Sequence, residues 1–466
     1  MATQLIQEER IQKLNDKPPR DGKYVLYWMQ QSQRATFNHA LEFAIRTAND
    51  RGDRLLVACG LMDDYPEANL RHYRFMLEGL QDVATDLESR GIAFVLQRGA
   101  PADVAIELAE DASVVVCDRG YLRHQKAWRE QVAKDVDCEV WQVESDVVVP
   151  VEVASDKAEY AARTIRPKLA KHREKFLVEL KTNPLKKDSL NLNVPGEDLS
   201  DLDTLLGRMK LDTSIGAVTK FFQGGTSQAK SILRRFRDQR LTDYDANRNQ
   251  PQTNYVSHMS KYLHFGQISP VDVALTISDA KNHPDDDRDS FLEELLCRRE
   301  LATNFVFYTS NYDSFSCLPS WAKTTLEEHK DDPREHVYTQ KELEAAETHD
   351  PYWNAAMKEM RHTGYMHNYM RMYWGKKILE WTNTPQTAFR FALEINNKYF
   401  VDGRDANSFA GVAWVFGQHD QGWKERPIFG KVRYMAASGL ERKCDIDGYV
   451  EKVEDLVNQA TSTPAD

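Results

Sequence analysis

Between residues 20 and 150 the chain alternates short apolar runs with amphipathic stretches, and few folds accommodate that rhythm. The runs are YVLYWM (Tyr24–Met29), RLLVACG (Arg54–Gly60), IAFVLQ (Ile92–Gln97), SVVVC (Ser113–Cys117) and EVWQV (Glu139–Val143). A 3.6-residue period predicts helices between them, over Arg34–Asn49, Leu70–Ser89, Ala102–Ala109 and Leu122–Val136. Short runs without polar alternation are strands buried on both faces, so repeated βαβ units in a doubly wound parallel sheet are predicted. Such a sheet takes ligands at the carboxyl ends of its strands. Neither GxGxxG nor GxxxxGK[ST] occurs here, which excludes the usual dinucleotide fingerprint and the P-loop.

Residues 150–215 read as a connector. Pro150, Pro167, Pro184 and Pro195 punctuate it, and NLNVPGEDLSDLD is loop-like. It carries a basic run of Arg163, Arg166, Lys168, Lys171, Arg173, Lys175, Lys181, Lys186 and Lys187, either a solvated helix face or a phosphate-facing surface. From 216 to 460 the helical period continues with little strand signal. The expected organisation is therefore an α/β domain over 20–150, a linker over 151–215 and an all-α domain over 216–460, since 466 residues exceed one ordinary core.

No apolar run reaches the roughly eighteen residues of a membrane span, and the polar start MATQLIQEERIQKLNDKPPR is not a secretory signal. Six cysteines without a CxxC pair suit reduced thiols better than a disulfide framework or a zinc site. The expected compartment is the cytoplasm, or the nucleus in a eukaryote, with no metal and no membrane partner. The net charge of −11 disfavours nucleic acid as a bulk property, but a local basic face suffices for it.

The stretch DPYWNAAMKEMRHTGYMHNYMRMYWGKKILEW (350–381) is the densest in chemistry. Asp350 as N-cap and Pro351 at the first position predict a helix to about Arg361, and Gly364 a break. A second helix is predicted over Tyr365–Trp381. On it Trp374 and Trp381 lie seven residues apart on one stripe, roughly 10 Å along the axis. Such a stripe is ordinary core or the wall of a pocket for a flat, charged, redox-active ligand. Ser257 and Ser260 flank Met259 at a helix start, where hydroxyls and backbone N–H groups hold phosphates. Phe291–Tyr308 is an amphipathic helix carrying Glu294, Arg298, Arg299 and Glu300. A carboxylate on its apolar face requires a bonding partner. Asn396–Asp420 is rich in turn residues, with Asp402, Arg404, Asp405 and Asn407 crowded about Gly403. Two basic clusters stand out, Lys230/Arg234/Arg235/Arg237/Arg240 and Lys424/Arg426/Lys431/Arg433. The second follows Trp414 and includes Trp423. Cations interleaved with aromatics suit a surface that grips a phosphate backbone and stacks on bases, the alternative being a solvated face.

The motifs YDANRNQP, SHMSKYLHFGQISP, FLEELLCRREL, MHNYMRMYWGKKILEW and VDGRDANSFAGVAWVFGQHDQGWKERPIFGKVRYM resemble those of class II cyclobutane pyrimidine dimer photolyases, over nearly the whole chain and in the same order. The resemblance implies a light-driven DNA repair lyase with an antenna-type α/β domain and a helical domain that binds FAD, used in its reduced anionic form. By motif, Tyr244, Ser257, Met259 and Ser260 would hold the pyrophosphate and ribityl chain. Asn368, Arg371, Asp402, Asp405 and Asn407 would surround the rings, with Arg371 paired to Asp402. Asn396 would face flavin N5, where a neutral amide can donate or accept and so tolerates more than one redox state. Glu294 would bond the flipped-out dimer, with Arg248, Met372 and Trp414 lining its pocket. Trp423, Lys424, Arg426, Lys431 and Arg433 would contact UV-damaged DNA. Trp374 would lie nearest the flavin, Trp353 in the middle and Trp381 outermost in a relay that passes electrons to it.

Cys297 departs from other photolyase classes, many of which place tryptophan there. The α/β domain would carry any antenna, such as a deazaflavin, and the protein is expected to be a monomer. A cryptochrome-like light sensor is the alternative on the same fold. The segment after Tyr449, ending QATSTPAD, reads as too short for a signalling tail. A light-independent flavoprotein would leave the tryptophan relay without a purpose. A photolyase for (6-4) lesions would need a pocket histidine pair, and His258 and His264 fall instead in the phosphate motif.

Overall fold

The computed structural model describes residues 6–462, so the last residues of the tail considered above, Thr463–Asp466, lie outside it. Six strands form one sheet: β1 (Ile11–Lys13), β2 (Tyr24–Trp28), β3 (Arg54–Leu61), β4 (Ala93–Arg98), β5 (Ala112–Asp118) and β6 (Glu139–Val143), in spatial order β1-β6-β5-β2-β3-β4. All neighbours pair in parallel except the antiparallel edge β1–β6. The predicted strands are all present. The edge strand β1 falls in the polar N-terminal stretch that the sequence reading left unassigned.

Helices α1 (His39–Arg51), α2 (Leu70–Ser89), α3 (Pro101–Ala109) and α4 (Arg123–Asp135) cover the two faces. Val25 and Tyr27 join the core under α1 and α2, while Tyr24, Leu26 and Trp28 face α3 and α4. That two-sided burial is why the strands lack polar alternation. The first helix starts at His39 instead of Arg34, because the Asn38 side chain caps it by accepting the Leu41 N–H at 3.1 Å.

The chain winds from β2 outward to β4 and then recrosses to β5, so β2 and β5 flank the switch point. There the buried Asp118 carboxylate accepts N–H bonds from Gln30, Gln31 and Ser32 at 3.0, 2.7 and 3.0 Å and holds the loop after β2.

The connector is less loop-like than predicted. It contains α5 (Ala162–Phe176), on which most of its basic run lies, and a short helix at Leu202–Gly207. The helical half follows with α6 (Thr226–Arg240), α7 (Ser260–His264), α8 (Asp285–Glu293), a π turn (Glu294–Arg298), α9 (Arg299–Tyr308), α10 (Pro351–Thr363), α11 (Asn368–Glu380), α12 (Pro385–Tyr399), α13 (Ala406–Val415) and α14 (Ile446–Thr461). No described helix is long and apolar enough to cross a membrane.

The halves are bonded, not merely apposed. Arg71 of α2, 4% exposed, donates to the carbonyls of Tyr399 (2.6 Å), Met360 (3.2 Å), Arg361 (2.6 Å) and Gly216 (3.1 Å). It thereby closes the carboxyl ends of α10 and α12. Arg34 bridges Asp146 (2.7 Å) and the Gly266 carbonyl (2.8 Å). Glu300 of α9 accepts from the Val148 N–H at 2.5 Å and from the Val149 N–H at 3.3 Å.

Burial pushes the Glu300 carboxyl up to about 8. Its folded pKa exceeds the unfolded value, so it favours folding most below about pH 4, and that contribution fades as pH rises towards 8. Glu300→Gln keeps an acceptor for both N–H groups. It is expected to flatten this slope in urea melts at pH 5 and pH 8; an unchanged slope would refute the assignment.

Candidate functional site

Three short-range decisions of the sequence build the site. Asp350 caps α10, its Oδ1 accepting from Tyr352 and Trp353 N–H at 3.0 Å each, and its second oxygen takes the Tyr373 hydroxyl of α11. Gly364 ends α10 with φ 71°, and a Cβ there would lie 2.6 Å from Val401. The second helix then begins at Asn368 and not at Tyr365, because His367 acts as N-cap, its Nδ1 accepting the Tyr369 N–H at 3.2 Å. Gly375 lets α11 cross α13 closely, since a Cβ would lie 2.5 Å from Val415.

The predicted turn region 396–420 is mostly helix: α12 runs to Tyr399 and α13 begins at Ala406, capped by Asp405. On α13, Asn407 and Gly411 are exposed and Trp414 is half-buried, while Phe409, Ala410, Val412, Ala413 and Val415 are buried. Spacings of four and three put the open positions on one stripe. This helix packs against α9, α11 and α12, so the stripe is the part of its surface that those neighbours leave uncovered.

The polar groups of α11 and of the turn between α12 and α13 are ordered. Arg371 donates to both oxygens of Asp402, at 2.9 and 3.1 Å, and its guanidinium lies 3.7 Å from the Phe400 ring centroid. Burial acts to raise the Asp402 pKa, but Arg371, the Ser260 hydroxyl and Lys261 hold it below the usual carboxylate range. Asp405 stands 3.7 Å from His264 and bonds the Asn407 amide at 2.8 Å. Against burial, His264, Arg299 and Asn407 hold its carboxyl well below that range. Asn396 is buried and donates to Asn397 Oδ1 at 3.0 Å. Met259 and Tyr244 are buried, Ser257 and Met372 half-buried, and Ser260 and Asn368 exposed. His258, between Ser257 and Met259, has φ 56°, a strained loop conformation just ahead of α7.

A second cluster lies on α8 and the π turn. Arg248 bonds Glu294 at 2.5 Å and the Ser290 hydroxyl at 2.8 Å, and its guanidinium lies 5.7 Å from the Tyr244 ring. The π turn, which no sequence pattern announced, inserts a residue and so resets which side chains face outward. Glu294 keeps a 38% exposed side chain, whereas Cys297 is buried with Sγ 3.9 Å from the Ala162 carbonyl of α5. Cys297 therefore packs in the core.

The tryptophans are buried together. Trp353 lies between the other two: its Nε1 donates to the Trp374 carbonyl at 3.0 Å and its ring centroid is 5.7 Å from that of Trp381. The Trp381 ring continues to Tyr338 at 5.6 Å and His349 at 5.0 Å. The Tyr338 hydroxyl bonds His349 Nδ1 at 2.8 Å. Sequence reading missed both, because they reach Trp381 from a separate loop.

Trp414 is flanked by Lys376 at 4.8 Å and Arg433 at 5.8 Å, and Arg433 also lies 5.0 Å from the exposed Trp423. Lys376 was missed as well; it is fully buried and bonds the Val415 carbonyl. Lys424, Arg426 and Lys431 are exposed on the same loop. The α6 basic cluster does not join them: Lys230 bonds Thr36 at 3.0 Å and Arg237 pairs with Asp238 at 2.7 Å.

In the α/β half, a cavity of about 90 Å³ opens at the strand ends. It is lined by Met29, Gly60, Tyr65 and Trp128, and by His264 and Arg404 from the helical half.

A protein-family profile described as DNA photolyase matches residues 25–186. Over 457 residues the chain is 51% identical to a protein of Methanothermobacter thermautotrophicus named deoxyribodipyrimidine photo-lyase, covering 98% of this chain and 100% of that protein. It is 39% identical to an Oryza sativa subsp. japonica protein of the same name, covering 98% and 92% respectively. Among solved structures, a class III photolyase from Agrobacterium tumefaciens superposes with a TM-score of 0.72 at 18% identity, over 96% of this chain and 91% of that one. A photolyase from Sulfolobus tokodaii, solved with two FAD molecules, gives 0.68 at 16% identity, over 95% and 94%.

Proposed function

We propose that this chain, which belongs to the DNA photolyase family, is a deoxyribodipyrimidine photo-lyase of class II type that repairs cyclobutane pyrimidine dimers in UV-damaged DNA. The observation that carries the reading is the buried Asp402 carboxylate held by Arg371, with Glu294 on the turn that leads into α9 and Trp414 on α13, which packs against α9. Its donor set fits FAD: hydroxyls and a helix start for phosphates, an ion pair and amides for ring edges. Bound and reduced, FAD supplies an electron to the dimer on absorbing light.

The residues perform the rest. Ser257, Met259, Ser260 and Tyr244 hold the phosphate and ribityl portion. Arg371, locked to Asp402, presents fixed positive charge to the ring system, while Asn368, Asp405 and Asn407 complete its edge and Asn396 offers an amide at N5. Arg248 orients Glu294, leaving one carboxylate oxygen for the flipped-out base, and Met372 and Trp414 wall its pocket. Lys376 and Arg433 fix the Trp414 ring from its surroundings. Trp423, Lys424, Arg426, Lys431 and Arg433 hold the DNA backbone and stack beside the lesion, so binding weakens with salt. Trp374, Trp353 and Trp381 re-reduce the cofactor. Any deazaflavin-type antenna would sit at the strand ends, beside Tyr65, His124 and Trp128, which pack edge to face, His124 within 5.1 and 4.9 Å of the other two.

The test is recovery of thymine absorbance in a dimer-containing oligonucleotide with flavin-reduced protein, under blue light and in darkness. Light-dependent recovery is expected. A photoreducible flavin without recovery would overturn the repair reading in favour of a light sensor. In the same assay Glu294→Ala is expected to lower the repair quantum yield severalfold while flavin content is unchanged, because a charged hydrogen bond to the substrate is lost. An unchanged yield removes Glu294 from the chemistry.

A further inference from the structure

The α6 basic cluster, which the repair reading leaves unused, leads to a separate cavity of about 470 Å³. It lies between α6, the loop before α7, the Tyr365–His367 turn and α14. Arg235, Arg240, His258, Tyr365, His367 and Lys452 line it, with Phe222 beside them. Its lining excludes Ser257, Ser260, Arg371, Asp402 and Asn407, the residues assigned to the flavin.

The charges are unbalanced. Among the described residues neither Arg235 nor Arg240 enters an ion pair, though many surface arginines of this chain do. Lys452 donates to the Pro251 and Thr253 carbonyls at 2.9 and 2.8 Å, which leaves its charge in place. The one acid in the wall, Glu359, is already bonded by the Tyr449 hydroxyl at 2.6 Å and the His367 N–H at 3.2 Å. Burial raises its pKa, which weakens it as a counter-charge.

Two buried nitrogens are unpartnered. His367 is 1% exposed, and its Nδ1 accepts the Tyr369 N–H, so the ring proton sits on Nε2. That Nε2–H has no acceptor, and His258 Nδ1 has no partner either. A buried donor without an acceptor is costly, and an anion here would satisfy it. Phosphate alone would leave most of the volume empty, whereas small-ligand pockets run from about 300 to 1,000 Å³. Phe222 and Tyr365 give the remainder an aromatic wall.

We propose that this cavity binds an organic phosphate of about mononucleotide size, its phosphate held by Arg235, Arg240 and the His367 Nε2–H.

The test is isothermal titration of the flavin-loaded protein with AMP, alone and against inorganic phosphate. Saturable one-to-one binding is expected, displaced by inorganic phosphate and weakened at least about tenfold by Arg240→Ala or Arg235→Ala, the loss of one charge-assisted contact. His367→Asn, which retains a side-chain oxygen to cap α11, is expected to weaken it too. Three outcomes would overturn the proposal: no saturable heat, binding indifferent to inorganic phosphate, or an Arg240→Ala protein that loses flavin in place of AMP affinity. The last would assign the cavity to the flavin's own diphosphate.

Discussion

Trp374→Phe protein is expected to lose photoreduction of its flavin under blue light with an external donor, yet to repair dimers at the parental rate once reduced with dithionite. The substitution is clean on physical grounds. Trp374 is 3% exposed and its Nε1 has no hydrogen-bond partner, so phenylalanine orphans nothing. The bond from Trp353 goes to the backbone carbonyl at 374 and survives. The remaining cost is a small packing defect, about 1–2 kcal/mol. What disappears is an oxidisable indole from the buried cluster that also holds Trp353 and Trp381. Loss of repair in the chemically reduced variant would refute the relay.

Arg371→Met is expected to destabilise the fold by about 3–5 kcal/mol, because it strands the buried Asp402 carboxylate, and to yield protein largely free of flavin. The pH dependence gives a second readout. In the parent protein the Asp402 pKa is depressed, so its contribution is present above the unfolded value near 3.9 and is lost as pH falls through the lower folded value. In the variant burial is opposed only by the Ser260 hydroxyl and Lys261, the Asp402 pKa rises, and the destabilisation relative to the parent is expected to be smaller at the lower pH. Urea midpoints at pH 5 and pH 7.5 check this. Equal stability of variant and parent at both values would show that the pair does not hold this site together.

The sheet was legible because strands buried on both faces are continuous apolar runs, and the helices between them carry ordinary periodicity. β1 escaped because IQK, pairing only at a sheet edge, carries almost no apolar signal. The helical half was legible in class but not in detail. Asp402, Gly403, Asp405 and Asn407 announce a turn, and composition alone hides that α13 begins one residue after its Asp405 cap. A π turn at Glu294 has no signature of its own, because it alters hydrogen-bond register and not residue type. The Arg371–Asp402 pair joins two elements whose contact no periodicity encodes, and only the family motif anticipated it. Lys376 and Tyr338 were missed for the same reason: their partners are distant in sequence.

The Arg71 guanidinium has a consequence for how the molecule comes into being. It sits on an early helix, yet the carbonyls it closes end helices that lie 289 to 328 residues further along the chain. The helical half, synthesised last, brings those carbonyls to the guanidinium only when the halves dock, so the docked interface adds bonds to helix ends from which the chain runs on to Arg371 and to Asp402. Parting the halves would leave those carbonyls to water in place of the guanidinium.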